Sequence, residues 1–138
     1  MITLLNTFAG IGGNTKALDR KIYEVTHVEN DKRRCEYLSE NFPNDIVIQG
    51  DAYQFILDNM MTYDILWASP PCPTHSSVRW GNRRHEGFTY VYPDMKMYGV
   101  IFTLQRARTK EPWIVENVTP YYEPLIEPTI KLGRPLRS

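Results

Sequence analysis

The chain has 138 residues, with 16 basic and 16 acidic side chains and a formal net charge of zero at pH 7. That length supports one domain with a core that needs no staples, and the balanced charge excludes recognition of nucleic acid by a global field, leaving only a local patch. Two widely spaced cysteines, Cys35 and Cys72, exclude a disulfide framework or a cysteine-based metal site and fit a reducing, cytoplasmic compartment. The first residues lack the basic flank of a signal peptide, and no apolar run approaches membrane-spanning length.

Residues 2–8 read as a short buried strand. A glycine turn follows at Gly10, Gly12 and Gly13, then a helix from about Asn14 to Arg20. Val25 to Glu29 reads as a second strand. Asp31 is placed to cap a helix whose Cys35, Leu38 and Phe42 share one face, and Pro43 closes it. Ile46 to Ile48 is a third strand, and Asp51 starts a helix with Phe55, Ile56 and Met60 inward. A fourth strand ends at Ala68. Asp94 is placed to cap a helix carrying Met97, Ile101 and Leu104 on its inner face, weakened by Gly99. Trp113 to Val115 is a fifth strand. Strands alternating with helices predict an α/β fold with a parallel sheet and helices on both faces. Residues 73–93 read as a long loop of the kind usually tied to function, and the chain beyond Val118 is irregular and rich in proline.

The most informative run is Trp67-Ala68-Ser69-Pro70-Pro71-Cys72. Two prolines stop the fourth strand, because each lacks an N–H and fixes φ. They present the thiol of Cys72 at a strand's carboxyl end, where open α/β sheets bind ligands. A thiol attacks carbon as its thiolate, which nearby donors or positive charge favour. His75, Arg79, Arg83, Arg84 and His85 follow closely. The bland alternatives are a buried structural cysteine and an exposed loop histidine. Glu116 directly follows the fifth strand and is expected at the same edge, either partly desolvated and able to donate a proton, or simply solvated.

The turn Phe8-Ala9-Gly10-Ile11-Gly12-Gly13 lets a backbone approach a ligand, although it is not a full G-x-G-x-x-G. Glu29 ends the second strand nineteen residues after Gly10, an offset suited to ribose hydroxyls. Asp51 follows the third strand and serves an adenine amine, caps its helix, or both. Glycine turn, Glu29 and Asp51 each end a successive strand, so they converge on one edge that fits an adenosine-containing cofactor. No G-x-x-x-x-G-K-[ST] run is present, which argues against a nucleoside triphosphate.

With these residues the chain resembles the DNA cytosine-5 methyltransferase family. The resemblance rests on Phe8-Ala9-Gly10-Ile11-Gly12-Gly13, Glu29-Asn30-Asp31, Gly50-Asp51, Ser69-Pro70-Pro71-Cys72 and Glu116-Asn117-Val118, in that order over residues 2–120. Pro120 to Leu125 and Tyr92 to Met95 are similar to short phage or prophage members. The resemblance implies the Rossmann-like, mostly parallel sheet of a class I S-adenosylmethionine-dependent methyltransferase. It implies Cys72 as nucleophile at C6 of a flipped cytosine in DNA and Glu116 as hydrogen-bond partner of the ring. It implies Asn117 ordering the Pro-Pro-Cys loop, with no metal. For S-adenosyl-L-methionine it implies Phe8 against the adenine, Glu29 on the ribose, Asp51 on the adenine amine, Pro70 lining the pocket, and Gly10, Gly12 and Gly13 in the turn. Arg79, Arg83 and Arg84 are placed to meet phosphates.

The pattern also departs from the family. Residues 1–119 match a catalytic core and 120–138 an irregular tail. The basic Gln-x-Arg-x-Arg motif, a target-recognition region and a final helix are not recognisable, and Gln105-Arg106-Ala107-Arg108 precedes Glu116 and lies in a predicted helix. The expectation is a C-terminally incomplete core: a fragment, a minimal form, or half of a split enzyme needing a second subunit, from a restriction-modification or phage context. Its reaction is methyl transfer to C5 of cytosine in DNA. The alternative is a catalytically silent S-adenosylmethionine-binding or regulatory module. An amino-group methyltransferase fits poorly, because Cys72 stands where those enzymes place an aromatic.

Overall fold

The computed structural model describes residues 1–71, 95–117 and 122–132. Among these residues there are five strands: β1 (Ile2–Thr7), β2 (Tyr23–Glu29), β3 (Ile46–Gln49), β4 (Ile65–Ala68) and β5 (Trp113–Val115). The same residues form three α-helices: α1 (Lys32–Asn41), α2 (Ala52–Asn59) and α3 (Lys96–Ala107). The sheet runs in the order β3-β2-β1-β4-β5, and every neighbouring pair is parallel.

β1 is central, so both its faces are covered and Leu4, Leu5, Asn6 and Thr7 are all buried. On one face Leu5, Val28, Leu66 and Ala68 pack with Ala52 and Ile56 of α2 and with Val100 and Leu104 of α3. Side chains alternate along a strand, so His27 points the other way from Val28. There it meets the Phe42 ring at the end of α1, with centroids 5.6 Å apart. Helices thus cover both faces, as the alternating pattern predicts.

The caps explain two helix starts. An Asp31 carboxylate oxygen accepts from Arg34 N at 2.9 Å, and Asp51 Oδ1 accepts from Tyr53 N at 2.9 Å. Each satisfies an N–H that the first turn leaves unpaired. α3 runs through Gly99, whose carbonyl accepts from Thr103 Oγ1 at 2.8 Å. Met95 stands at its N-cap with no side-chain hydrogen bond, and the expected cap, Asp94, lies outside the described residues.

One expected helix is not formed. Between Asn14 and Arg20 there is only a single 3-10 turn, Gly13–Thr15. Its carbonyls are used otherwise. Lys16 N bonds Gly13 O and Leu18 N bonds Thr15 O, three residues back rather than four. Arg20 Nη1 also takes Thr15 O at 2.6 Å and Leu18 O at 2.9 Å. The partly buried Arg20 thus takes carbonyls that a helix would need for its own ladder. β1 also stops at Thr7, one residue earlier than read, because Phe8 turns left-handed at φ 54.

Residues 122–132 carry neither helix nor strand. Tyr98 Oη and Tyr122 Oη lie 2.9 Å apart and tie this segment to α3. No described helix is long and apolar enough to cross a membrane.

Candidate active site

Because all five strands are parallel, their carboxyl ends share one edge. Chain order reverses beside β1, with β2 and β3 to one side and β4 and β5 to the other. A crevice forms outside the strand ends at such a switch point. Phe8, Glu29, Gly50, Ser69 and Glu116 each follow or end one of the five strands, so the topology brings the predicted positions to one rim.

The glycine turn divides into two roles. A Cβ on Gly10, Gly13 or Gly50 would meet nothing within 4 Å, so these residues border open space. A Cβ on Gly12 would stand 2.8 Å from Phe42 and 2.9 Å from Leu38. Gly12, at φ 76, is therefore required by packing against α1. Gly10, at φ 57, needs its positive dihedral but has room above it.

Glu29 is buried, at 4% exposure, and its carboxylate collects three backbone N–H groups. Gly10 N donates to Oε2 at 2.7 Å, while Asn30 N and Asp31 N both donate to Oε1 at 3.1 Å. A carboxylate offers about four accepting directions. Three are filled from within the chain, which leaves Oε2 room for one further donor. The bond to Gly10 also makes Glu29 a strut of the turn. Asp51 is exposed and uses Oδ1 for its cap; among the described residues Oδ2 has no hydrogen-bond partner. Phe8 meets Tyr53 edge to face, with centroids 4.7 Å apart, and Lys96 Nζ lies 5.6 Å from the centre of the Tyr53 ring. An open glycine cradle, an acid with one free accepting direction and an aromatic wall fit the adenosine of a nucleotide-like cofactor.

On the other side of β1, β4 and β5 bring two motifs into contact. Ala68 pairs with Val115, and Glu116 N donates to Ala68 O at 3.0 Å. Ser69 Oγ then donates to Glu116 Oε1 at 2.6 Å. Asn117 Nδ2 donates to Pro70 O at 3.3 Å, which matches the expected ordering of the proline loop, and also approaches Met97 Sδ at 3.0 Å. Pro70 is buried, whereas Glu116 is exposed. Of the two readings offered for Glu116, the structure shows the solvated one. Among the described residues β5 is the last strand in the order, and none of them pairs with its outer edge. Cys72, His75, Arg79, Arg83, Arg84 and His85 lie outside the described residues.

Sequence reasoning missed Ser69 as the partner of Glu116 and Tyr53 as the partner of Phe8. Ser69 carried a signal, since it opens the motif that ends in Cys72. Tyr53 had one too, an aromatic two residues after Asp51 at the start of α2. Among the described residues no group of three or more His, Cys, Asp or Glu side chains could hold a metal ion.

The fold is the Rossmann-like α/β sheet of class I S-adenosylmethionine-dependent methyltransferases, with its strand ends meeting at one rim. The sequence model of the C-5 cytosine-specific DNA methylase family matches residues 2–94, more than half of the chain, and the chain belongs to that family. S-adenosyl-L-methionine is the cofactor that goes with this family and fold. No curated protein matches the chain in sequence. Among solved structures, it is similar to a SAM-dependent methyltransferase from Agrobacterium tumefaciens, at 28% identity and TM-score 0.46 over 51% of this chain and 26% of that one. A TehB-like SAM-dependent methyltransferase from Corynebacterium glutamicum aligns at 14% identity and TM-score 0.49 over 83% of this chain and 53% of that one. A DNMT2 mutant from Spodoptera frugiperda aligns at 19% identity and TM-score 0.45 over 73% of this chain and 31% of that one. The chain thus spans between about a quarter and about half of these three structures' lengths.

Proposed function

We propose that the chain is the catalytic core of a methyltransferase that acts on C5 of cytosine in DNA, with Cys72 as its nucleophile. One observation carries this reading: Ser69 and Pro70, from the motif that ends in Cys72, contact Glu116 and Asn117 of the Glu-Asn-Val motif. A silent module has no chemical use for joining a thiol motif to an acid.

In this reading the Cys72 thiolate adds to C6 of cytosine, and the displaced electron pair makes C5 nucleophilic. Glu116 hydrogen-bonds N3 and the exocyclic amine, offsetting charge that develops on the ring. After transfer, with S-adenosyl-L-homocysteine as the leaving group, water takes the C5 proton and the C6–sulfur bond breaks, restoring the thiolate. S-adenosyl-L-methionine supplies the electrophilic methyl group. Phe8 and Tyr53 wall the adenine, Asp51 Oδ2 accepts from its amine, and Glu29 Oε2 accepts from the ribose. Pro70 lines the pocket, and Gly10 and Gly13 leave room for the rest. C6 is hidden in a duplex, so the target base is flipped out. Arg79, Arg83 and Arg84 bind phosphates. The substrate, the phosphate contacts and any second subunit belong to this proposal.

The test is calorimetric titration of S-adenosyl-L-methionine, followed by covalent trapping on DNA containing 5-fluorocytosine. Binding with a trapped adduct, lost in Cys72→Ser, is the expected result. Trapping by Cys72→Ser at the wild-type level would reject the nucleophile. No heat of binding would reject the cofactor site.

A further inference from the structure

Beneath the glycine turn runs a buried relay of polar side chains that the methyl-transfer reading does not use. Asp45, with a side chain 1% exposed, receives Arg20 Nε at 2.8 Å and Nη2 at 2.7 Å. His27, fully buried on β2, places Nε2 2.7 Å from Asp45 Oδ2. Its other ring nitrogen, Nδ1, lies 3.1 Å from Asn6 Nδ2. Asn6 and Asn14 exchange amide hydrogen bonds, Nδ2 of each donating to Oδ1 of the other at 3.2 and 2.9 Å. Asn14 sits in the Gly13–Thr15 turn, next to Gly13.

The donor count fixes the proton. An amide nitrogen only donates. With Asn6 Nδ2 against it, His27 Nδ1 accepts, so the ring proton sits on Nε2 and faces the Asp45 carboxylate. A second proton on Nδ1 would oppose the Asn6 N–H. To accept that proton, the Asn6 amide must turn over. Its oxygen then faces Asn14 Oδ1 and its nitrogen faces Asn14 Nδ2, so the reciprocal pair breaks unless Asn14 turns as well.

We propose that Asn6 and His27 are positioning residues for the cofactor turn, and that protonating His27 reverses hydrogen-bond polarity at Asn14 and weakens cofactor binding. The inference rests on the cofactor reading above. The charged groups facing the ring are Asp45 and Arg20; Glu29 lies two residues on along the same face of β2. β1 contributes the neutral Asn6, β3 the paired Val47, and α1 leads into Phe42. Burial lowers the pKa of His27, the Asp45 hydrogen bond and charge oppose that, and Arg20 adds to it. The resting ring is neutral, and acid drives the change.

The experiment follows the full chain by nuclear magnetic resonance from about pH 8 to about pH 5, without cofactor, beside calorimetry with S-adenosyl-L-methionine. Backbone amides of residues 12–15 and the Asn6 and Asn14 side-chain amides should shift with the midpoint of the His27 ring. Cofactor affinity should fall about tenfold across the same midpoint. Asn6→Asp supplies an acceptor for the Nδ1 proton, so both midpoints should rise. Turn amides that ignore the His27 midpoint would overturn the proposal, as would an unmoved midpoint in Asn6→Asp. The wild-type titration decides alone if that variant does not fold. Absence of binding at every pH would sink the cofactor reading, while the free-protein spectra would still judge the relay.

Discussion

Ser69 Oγ holds Glu116 Oε1 at 2.6 Å, so the first residue of the thiol motif fixes the acid at the end of β5. A hydroxyl bonded to a carboxylate is strong when buried, but Glu116 is exposed, which reduces its worth. Ser69→Ala should therefore lower the methyl-transfer rate about tenfold, roughly 1.4 kcal/mol. Cofactor affinity should stay within about twofold, because the contact lies across β1 from Glu29 and the glycine turn. Single-turnover transfer and calorimetry on the same preparation check both halves.

Glu29→Gln tests the strut of the turn. An amide has one oxygen, and its NH2 must then confront either Gly10 N–H or the Asn30 and Asp31 N–H pair. One or two buried donors lose their acceptor. We expect about 2 kcal/mol of lost stability and at least about a tenfold drop in S-adenosyl-L-methionine affinity. Urea unfolding and calorimetry measure the two effects.

The glycines should separate cleanly. Gly12→Ala forces a methyl into Phe42 and Leu38 at a left-handed φ and should cost roughly 2–4 kcal/mol. Gly13→Ala meets nothing within 4 Å and should leave stability almost unchanged. It should nonetheless weaken cofactor binding, since its methyl enters the space assigned to the ligand. Thermal melts with and without cofactor distinguish the two variants.

Stability should fall in mild acid. Burial holds the pKa of His27 below its ordinary value of 6.5, so the unfolded chain takes up a proton before the folded one does. The stabilisation is full above about pH 6.5 and is lost as pH falls through the folded-state value. Asp45 adds to the trend lower down. Burial alone would raise its pKa, but hydrogen bonds from Arg20 and His27 hold it below the ordinary 3.8. Unfolding midpoints measured across mild acid should decline in the wild type and flatten in His27→Gln.

Arg108 ties together the ends of the sheet's second half. Its guanidinium donates to the carbonyls of Met60, Tyr63, Asp64 and Pro112, joining the α2–β4 turn to the start of β5. An ammonium carries three donors on a flexible stem and cannot serve four carbonyls. Arg108→Lys should lose about 3 kcal/mol by urea unfolding, with an unchanged denaturant slope.

Strand positions were legible because each is a short apolar run with a turn residue behind it, as in Ile65–Ala68 before Ser69-Pro70. Two capped helices were legible because Asp31 and Asp51 stand one residue before them. The stretch from Asn14 to Arg20 misled, because a helix was expected after the glycine turn while its fate was set by distant Asp45, twenty-five residues beyond Arg20. The site's outline was legible because β-α alternation puts strand ends on one rim. The exposure of Glu116 was not, because it depends on β5 lying last in the strand order, which no local pattern encodes. The Ser69–Glu116 bond escaped for the same reason: it joins residues 47 apart.

Uniform strand direction also fixes where the molecule can be held. Met1 stands, exposed, at the far end of β1 from Phe8. Six extended residues separate them, about 20 Å. A label attached at Met1 would therefore stand on the side of the sheet opposite the strand-end rim, and holding the protein there would leave that rim uncovered.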